Sequence, residues 1–147
     1  MESIEDKKGG FFLNTNKGTY ASSFVIWAAG EYQYPKTNSF EGDYHCMHYS
    51  EVDSFSGIMG KNSVVIGAYE SGFDAAINLA KLGKQVTLID NSNYLELVKS
   101  DSSYSLSPFT RDRIKEASDG IDYFEETRVK KVKFLNAKYI VITNNED

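Results

Sequence analysis

The stretch Ser63-Val64-Val65-Ile66-Gly67-Ala68-Tyr69-Glu70-Ser71-Gly72-Phe73-Asp74-Ala75-Ala76 constrains the fold of this chain more than any other. Val64, Val65 and Ile66 are a short β-branched apolar run, the pattern of a strand covered on both faces. Gly67 ends that strand and permits a sharp turn, because glycine reaches backbone angles closed to other residues. Gly72 opens a helix where the lack of a side chain lets helix and strand pack closely. Phe73, Ala76, Ile77 and Ala80 recur at spacings of three and four, so one helix face should lie on a sheet. The helix is expected to run through Leu82 and to stop at Gly83. Val86-Thr87-Leu88-Ile89 then reads as a second strand, ending on the acid Asp90. Strand, glycine turn, helix, strand and terminal acid make the pattern of a dinucleotide-binding unit.

The chemistry follows from that order. A helix N-terminus presents unpaired N–H groups and partial positive charge, which suits a pyrophosphate. Asp90 lies 23 positions after Gly67, close to the ~20-residue spacing at which an acid reaches the adenosine ribose. The expected cofactor-binding residues are therefore Gly67, Ala68, Tyr69, Glu70, Ser71 and Gly72, with Asp90 and Asn91 beyond the second strand. Ser71 reads as a helix cap or a donor to the pyrophosphate, Glu70 as pointing outward, and Asp74 as serving helix-start electrostatics. Tyr69 replaces the middle glycine of G-x-G-x-x-G, where backbone should approach the pyrophosphate. Two readings stay open: a nucleotide-binding turn, or an α/β crossover in which Tyr69 blocks the site. NADH is expected to be preferred to NADPH. Asp90 would accept from the ribose hydroxyls and repel a 2′-phosphate. Asn91-Ser92-Asn93 offers no arginine fork for that phosphate, leaving Arg111 as the nearest substitute.

Composition excludes several classes. The 147 residues are enough to bury a core. A net charge of −5 without a basic run argues against a nucleic-acid partner. No apolar stretch approaches the ~18 residues that would span a membrane. The polar start Met1-Glu2-Ser3-Ile4-Glu5-Asp6-Lys7-Lys8 is not a signal peptide. Cys46, the one cysteine, rules out an internal disulfide, fits a cytoplasmic setting and is expected to be partly buried. His45, Cys46 and His48 have no further histidine or cysteine to complete a metal site, so no metal is expected. No catalytic residue is expected either, since nicotinamide and flavin would carry the redox chemistry.

Along the chain, residues 1–10 are expected to be loose. Phe11-Phe12-Leu13-Asn14-Thr15 reads as a strand, Asn16-Lys17-Gly18 as a turn and Thr19-Tyr20-Ala21 as the return. Residues 24–30 read as a strand entering a buried sheet. Val25-Ile26-Trp27-Ala28-Ala29-Gly30 with Glu31-Tyr32-Gln33-Tyr34-Pro35 resembles the A-T-G-x-x-x-x-P segment of two-dinucleotide-domain flavoproteins. These include the pyridine nucleotide-disulfide oxidoreductases and the flavin-containing monooxygenases; Ala29 stands where they carry threonine. Asp101-Ser102-Ser103-Tyr104-Ser105-Leu106-Ser107-Pro108-Phe109-Thr110-Arg111-Asp112-Arg113-Ile114 is similar to a subgroup of flavin-containing monooxygenases. Within it Ser107 reads as a helix cap and Pro108 as the first helical residue. Phe40 and Gly42 match the monooxygenase motif F-x-G-x-x-x-H-x-x-x-W/F, with Cys46 at the histidine position. That resemblance gives His48 the role of tying a linker to the nucleotide domain. Small thioredoxin reductases carry C-x-x-C after this linker, whereas Cys46 is a single thiol and cannot run a dithiol cycle. Ile121-Asp122-Tyr123-Phe124 reads as the next parallel strand. Residues 129–134 and 138–143 read as an antiparallel pair turning at Asn136-Ala137.

The resemblance implies an α/β fold: a Rossmann-like parallel sheet with an antiparallel meander, plus a remnant of an FAD domain at the N-terminus. Residues 1–35 would be that remnant, 36–60 a linker and 61–147 an NAD(P)H-binding domain incomplete at its C-terminus. The parent would be an FAD-dependent NAD(P)H oxidoreductase, monooxygenase-like, with this chain alone catalytically incomplete. NAD(H) is favoured over NADP(H), and FAD is expected only in the complete parent. The expected partners are a nicotinamide dinucleotide and the missing FAD-domain segments; residues 11–29 are expected either to fold back on the nucleotide domain or to pair with the same segment of a second copy, making a homodimer. The alternative is a truncated, non-catalytic α/β fragment that no longer binds nucleotide.

Overall fold

The computed structural model describes residues 1–28, 30, 34–97 and 104–145. Ala29, Glu31, Tyr32 and Gln33 of the small-residue segment, and Asp101, Ser102 and Ser103 of the later one, lie outside the described residues. The backbone divides into two units, Met1–Gln33 and Tyr34–Asp147.

The first unit is an antiparallel meander of β1 (Ser3–Lys7), β2 (Gly10–Thr15) and β3 (Gly18–Ser22), with β2 in the middle. The strand expected at residues 11–15, its turn and its return are there. The loose start is not: residues 3–7 pair with β2, Lys7 opposite Gly10. Lys8 and Gly9 are therefore a two-residue hairpin loop, with Gly9 at φ 112°. Gly10 must be glycine, because a Cβ there would stand 2.6 Å from the Ser22 carbonyl oxygen. The strand expected at residues 24–30 is absent from the described residues. Phe24, Ile26 and Trp27 are 85%, 91% and 65% exposed. Strand geometry depends on ladder hydrogen bonds, and no described strand pairs with this segment.

The second unit is built on a parallel sheet of β4 (Asn62–Ile66), β5 (Gln85–Ile89) and β6 (Ile121–Phe124) in chain order. Helix α1 (Glu70–Lys81) crosses from β4 to β5, and α2 (Pro108–Ala117) precedes β6. The two-residue side-chain period sorts the strands. Val65, Val86, Leu88, Ile121 and Tyr123 face the helices, where Phe73, Ala76, Ile77, Leu79, Leu106 and Ile114 fill the core. Ile66 and Ile89 face the other way and meet Val129, Val132 and Val141. Those last residues belong to the hairpin β7 (Val129–Leu135) and β8 (Lys138–Thr143). Helices, parallel sheet and antiparallel hairpin thus form three layers. Val64 is less covered than its composition suggests, at 47% exposed, because β4 is an edge strand.

Helix α1 ends in a Schellman arrangement. The Lys84 amide reaches the Leu79 carbonyl (3.2 Å) and the Gly83 amide the Ala80 carbonyl (2.8 Å), with Gly83 at φ 77°. Ahead of β4, the linker docks on the hairpin. Glu41 bridges Lys131 in parallel register, and the two side chains form an ion pair. Gly42, at φ 82°, lies so close to β7 that a Cβ would meet the Val132 carbonyl oxygen at 2.0 Å.

Candidate nucleotide site

The crevice at the C-terminal ends of β4 and β5 is where open parallel sheets take ligands. Gly67 leaves β4 at φ 92°, its amide bonded to the Ile89 carbonyl at 2.8 Å. Gly72 lies in the first turn of α1, directly against Gly67. A Cβ on Gly72 would stand 1.9 Å from the Gly67 carbonyl oxygen. The close helix–strand approach expected from the sequence is therefore a backbone-to-backbone contact at this residue.

Tyr69 is the N-cap of α1, in extended conformation, and no side chain caps the helix. Ser71 is exposed and does not cap. The helix start thus carries no side-chain cap hydrogen bond at its N-cap. Ala68 is buried beneath the turn and Asn91 is exposed at its far side. Tyr69 turns its ring toward the segment after β5. Its centroid lies 5.0 Å from that of Tyr94, tilted by 52°, and its hydroxyl reaches the Ser105 carbonyl at 3.5 Å.

Glu70 does not point outward. Its carboxylate accepts from the Ser107 amide (2.6 Å), the Ser107 hydroxyl (3.2 Å) and the Thr110 hydroxyl (2.5 Å). Ser107 in turn caps α2 through the Thr110 amide, as its place before Pro108 predicts. An anion at the positive end of α2 is favourable, and this attraction outcompetes exposure to solvent. Partial burial works to raise the Glu70 pKa. The hydrogen bonds from Thr110 and Ser107, with Arg113 nearby, outweigh it and hold the carboxyl below its ordinary value.

Asp74 also does more than tune the helix dipole. It accepts from the Tyr49 hydroxyl (2.7 Å) and pairs with Arg113 of α2 (2.7 Å). Burial pushes its pKa up, but Tyr49 and Arg113 together bring it below the usual range. Tyr49 thus ties this segment to helix α1. His48 builds the turn that carries Tyr49: its Nδ1 accepts from the Ser50 amide while Glu51 accepts from the His48 amide. Cys46 is exposed rather than partly buried. Local packing and then Asp43 push its thiol pKa up, the opposite of an activated thiolate. Among the described residues no group of three or more His, Cys, Asp or Glu is placed to hold a metal ion.

Asp90 ends β5 as expected, but it is 0% exposed. One oxygen accepts from the Ser92 amide (3.1 Å), the other from the Tyr94 amide (3.1 Å) and the Tyr123 hydroxyl (2.7 Å). Burial and then Asp90 itself push the Tyr123 pKa up, keeping that hydroxyl a donor. A ribose cannot reach this carboxylate in the observed arrangement. Arg111 is likewise engaged, donating to the carbonyls of Leu95, Tyr94, Leu97 and Leu106. It closes the turn after β5 and is not positioned as a free phosphate fork. Tyr94, Ser105, Thr110 and Tyr123 were not evident as site residues in the sequence. Their only local signal is Tyr94 falling four residues after Asp90; the other contacts span 33 to 40 positions. A shallow depression of about 410 Å³, lined by Lys61, Lys84, Gln85 and Gly120, lies at the opposite, N-terminal edge of the strands.

The sequence model described as pyridine nucleotide-disulphide oxidoreductase matches residues 1–147. Bacilliredoxin reductase of Bacillus subtilis is 31% identical over 83 residues, 56% of this chain and 26% of its own length. A ferredoxin–NADP reductase of Streptococcus equi subsp. zooepidemicus is 29% identical over 119 residues, 73% of this chain and 36% of its own. Thioredoxin reductase of Lactococcus lactis superposes with a TM-score of 0.62 at 16% identity, over 97% of this chain and 45% of that one. At that identity the structural likeness is one of fold. The chain spans 26% to 36% of the length of these curated relatives.

Proposed function

This chain belongs to the pyridine nucleotide-disulphide oxidoreductase family, and from that premise we propose that it is the nicotinamide-dinucleotide-binding part of an FAD-dependent oxidoreductase. The observation that carries this reading is the uncapped start of α1, packed through Gly72 onto Gly67 at the C-terminal edge of the parallel sheet. The amides of the first helical turn would hold the pyrophosphate. Ser71, exposed in that turn, is free to donate to it, and Asn91 is the exposed polar side chain nearest the end of β5. Asp90 contributes by fixing the segment from 91 to 94. A bound reduced nicotinamide supplies a hydride; the chain's own part is to bind and orient it. FAD belongs to the complete parent in this reading. Relatives named as reductases support reductase chemistry over monooxygenation in this reading.

NADH remains the favoured ligand, on a narrower basis than the sequence suggested. Asn91-Ser92-Asn93 carries no cation, and Arg111 is engaged by four carbonyls. A 2′-phosphate would find no bidentate partner there. Calorimetric titration with NADH and NADPH tests both the binding and the preference; tighter NADPH binding at moderate salt would reverse the assignment.

The second reading, a segment that binds no nucleotide, is favoured by one observation: Tyr69 bridges to Tyr94 across the crevice. The magnitudes weigh against a block. An aromatic pair contributes about 0.5–1.5 kcal/mol beyond its buried area. Parting it would weaken binding by roughly tenfold at most, since about 1.4 kcal/mol is one decade. The variant Tyr69→Gly separates the readings: binding gained only in that variant would establish the block.

A further inference from the structure

We propose that Tyr69 and Tyr94 form an aromatic wall on which the adenine base of the dinucleotide stacks, so that this chain recognises the adenylate half of its ligand by aromatic surface as well as through phosphate. The inference rests on the nucleotide-binding reading above and deepens it. Tyr69 projects from the N-cap of α1, at the turn where the pyrophosphate would lie, and is 38% exposed. Tyr94 stands beyond the end of β5, the side of the crevice that takes the adenosine in such sheets. The two rings are 5.0 Å apart and tilted by 52°, so they meet without stacking face to face. A planar base arriving at this edge would stack on an aromatic ring held in place by the fold.

The placement of Tyr94 is not a loop accident. Its amide is bonded to Asp90, a wholly buried carboxylate that also takes the Tyr123 hydroxyl from β6. The turn carrying Tyr94 is closed from the other side by Arg111 of α2, which holds the carbonyls of Tyr94, Leu95 and Leu97. Buried charge and a guanidinium thus hold the backbone that carries one ring, and that ring packs partly against the core. The other ring extends from the rigid start of a helix. The substitution of tyrosine for the middle glycine then acquires a role: it trades close backbone approach for base-stacking surface.

The test titrates the full 147-residue chain with NADH, ADP-ribose and reduced nicotinamide mononucleotide, in the wild type and in Tyr69→Leu, Tyr94→Leu and Tyr69→Phe. Circular dichroism melts verify that each variant is folded. Stacking on one ring is worth a factor of about five or more. Tyr69→Leu and Tyr94→Leu should each weaken ADP-ribose and NADH by at least that factor and leave the mononucleotide unchanged. Tyr69→Phe, which keeps the ring, should stay within about twofold of wild type. Folded leucine variants that bind ADP-ribose as well as or better than wild type overturn the wall while leaving the nucleotide site standing. A wild type that binds neither NADH nor ADP-ribose overturns the underlying reading, and the wall with it.

Discussion

Glu70 follows Tyr69 in the glycine turn, and its carboxylate accepts from Ser107 and Thr110 at the start of the neighbouring helix α2. Its folded pKa is depressed below the reference value of 4.5. A depressed carboxyl contributes stability above its unfolded pKa and loses it as pH falls through the folded value. Acid titration of the wild type should therefore show stability declining below about pH 4.5, with Asp74 adding in the same direction. Glu70→Ala should lower the unfolding free energy at pH 7 by about 0.5–2 kcal/mol, the usual range for a lost cap. It should also flatten that acid limb; chemical denaturation at pH 7 and pH 4 reads both. Asp90→Asn presents one acceptor oxygen where three donors converge. It should cost about 1–3 kcal/mol, the range for leaving a buried donor unpaired. At this scale the sequence was legible where a contact is local and illegible where it is not. Ser107 and Pro108 announce a helix start, and Gly67 and Gly72 announce a tight turn. Glu70 reaching 37 positions to Ser107, or Asp90 turning inward to Tyr123, leaves no trace in local pattern. An acid at the end of a strand looks the same whether it faces a ribose or a tyrosine.

Helix α1 was legible almost residue by residue, because its apolar period and its glycine stop are both local. Phe73, Ala76 and Ile77 are fully buried against the sheet. Ile77→Ala should lower the unfolding free energy by about 2–5 kcal/mol in urea denaturation, the range for a truncated core side chain. A loss below 1 kcal/mol would mean that this face is not the packed one. The strands β4 and β5 were equally visible as apolar runs, and β6 as an apolar run broken by Asp122. Two elements were misread for opposite reasons. Residues 3–7 are polar apart from Ile4, and every one is exposed; pairing with β2, not burial, makes them a strand. Residues 24–28 are apolar and β-prone, yet no described strand pairs with them. Composition reports side-chain preference, whereas a strand exists only when a neighbour supplies the ladder.

Over the whole molecule, the layered second unit was predictable from its order of elements. The fate of the first unit's apolar segment was not. Phe24, Ile26 and Trp27 expose apolar surface of a kind that promotes association. Sedimentation of the chain should show a dimer, and Ile26→Ser with Trp27→Ser should return it to a monomer. A wild type that sediments as a monomer at all concentrations would remove the second copy from the list of partners. No helix among the described residues is long and apolar enough to cross a membrane. The central claim, that the glycine turn before α1 holds a nicotinamide dinucleotide, is tested most directly by calorimetric titration of NADH into wild type and Gly72→Val. A valine there would drive side-chain atoms into the Gly67 carbonyl, forcing α1 off β4. The account predicts one site in the wild type and no measurable heat in a Gly72→Val protein that retains its helical circular dichroism. A wild type that releases no heat, or a folded Gly72→Val protein that binds NADH with wild-type affinity, would contradict it.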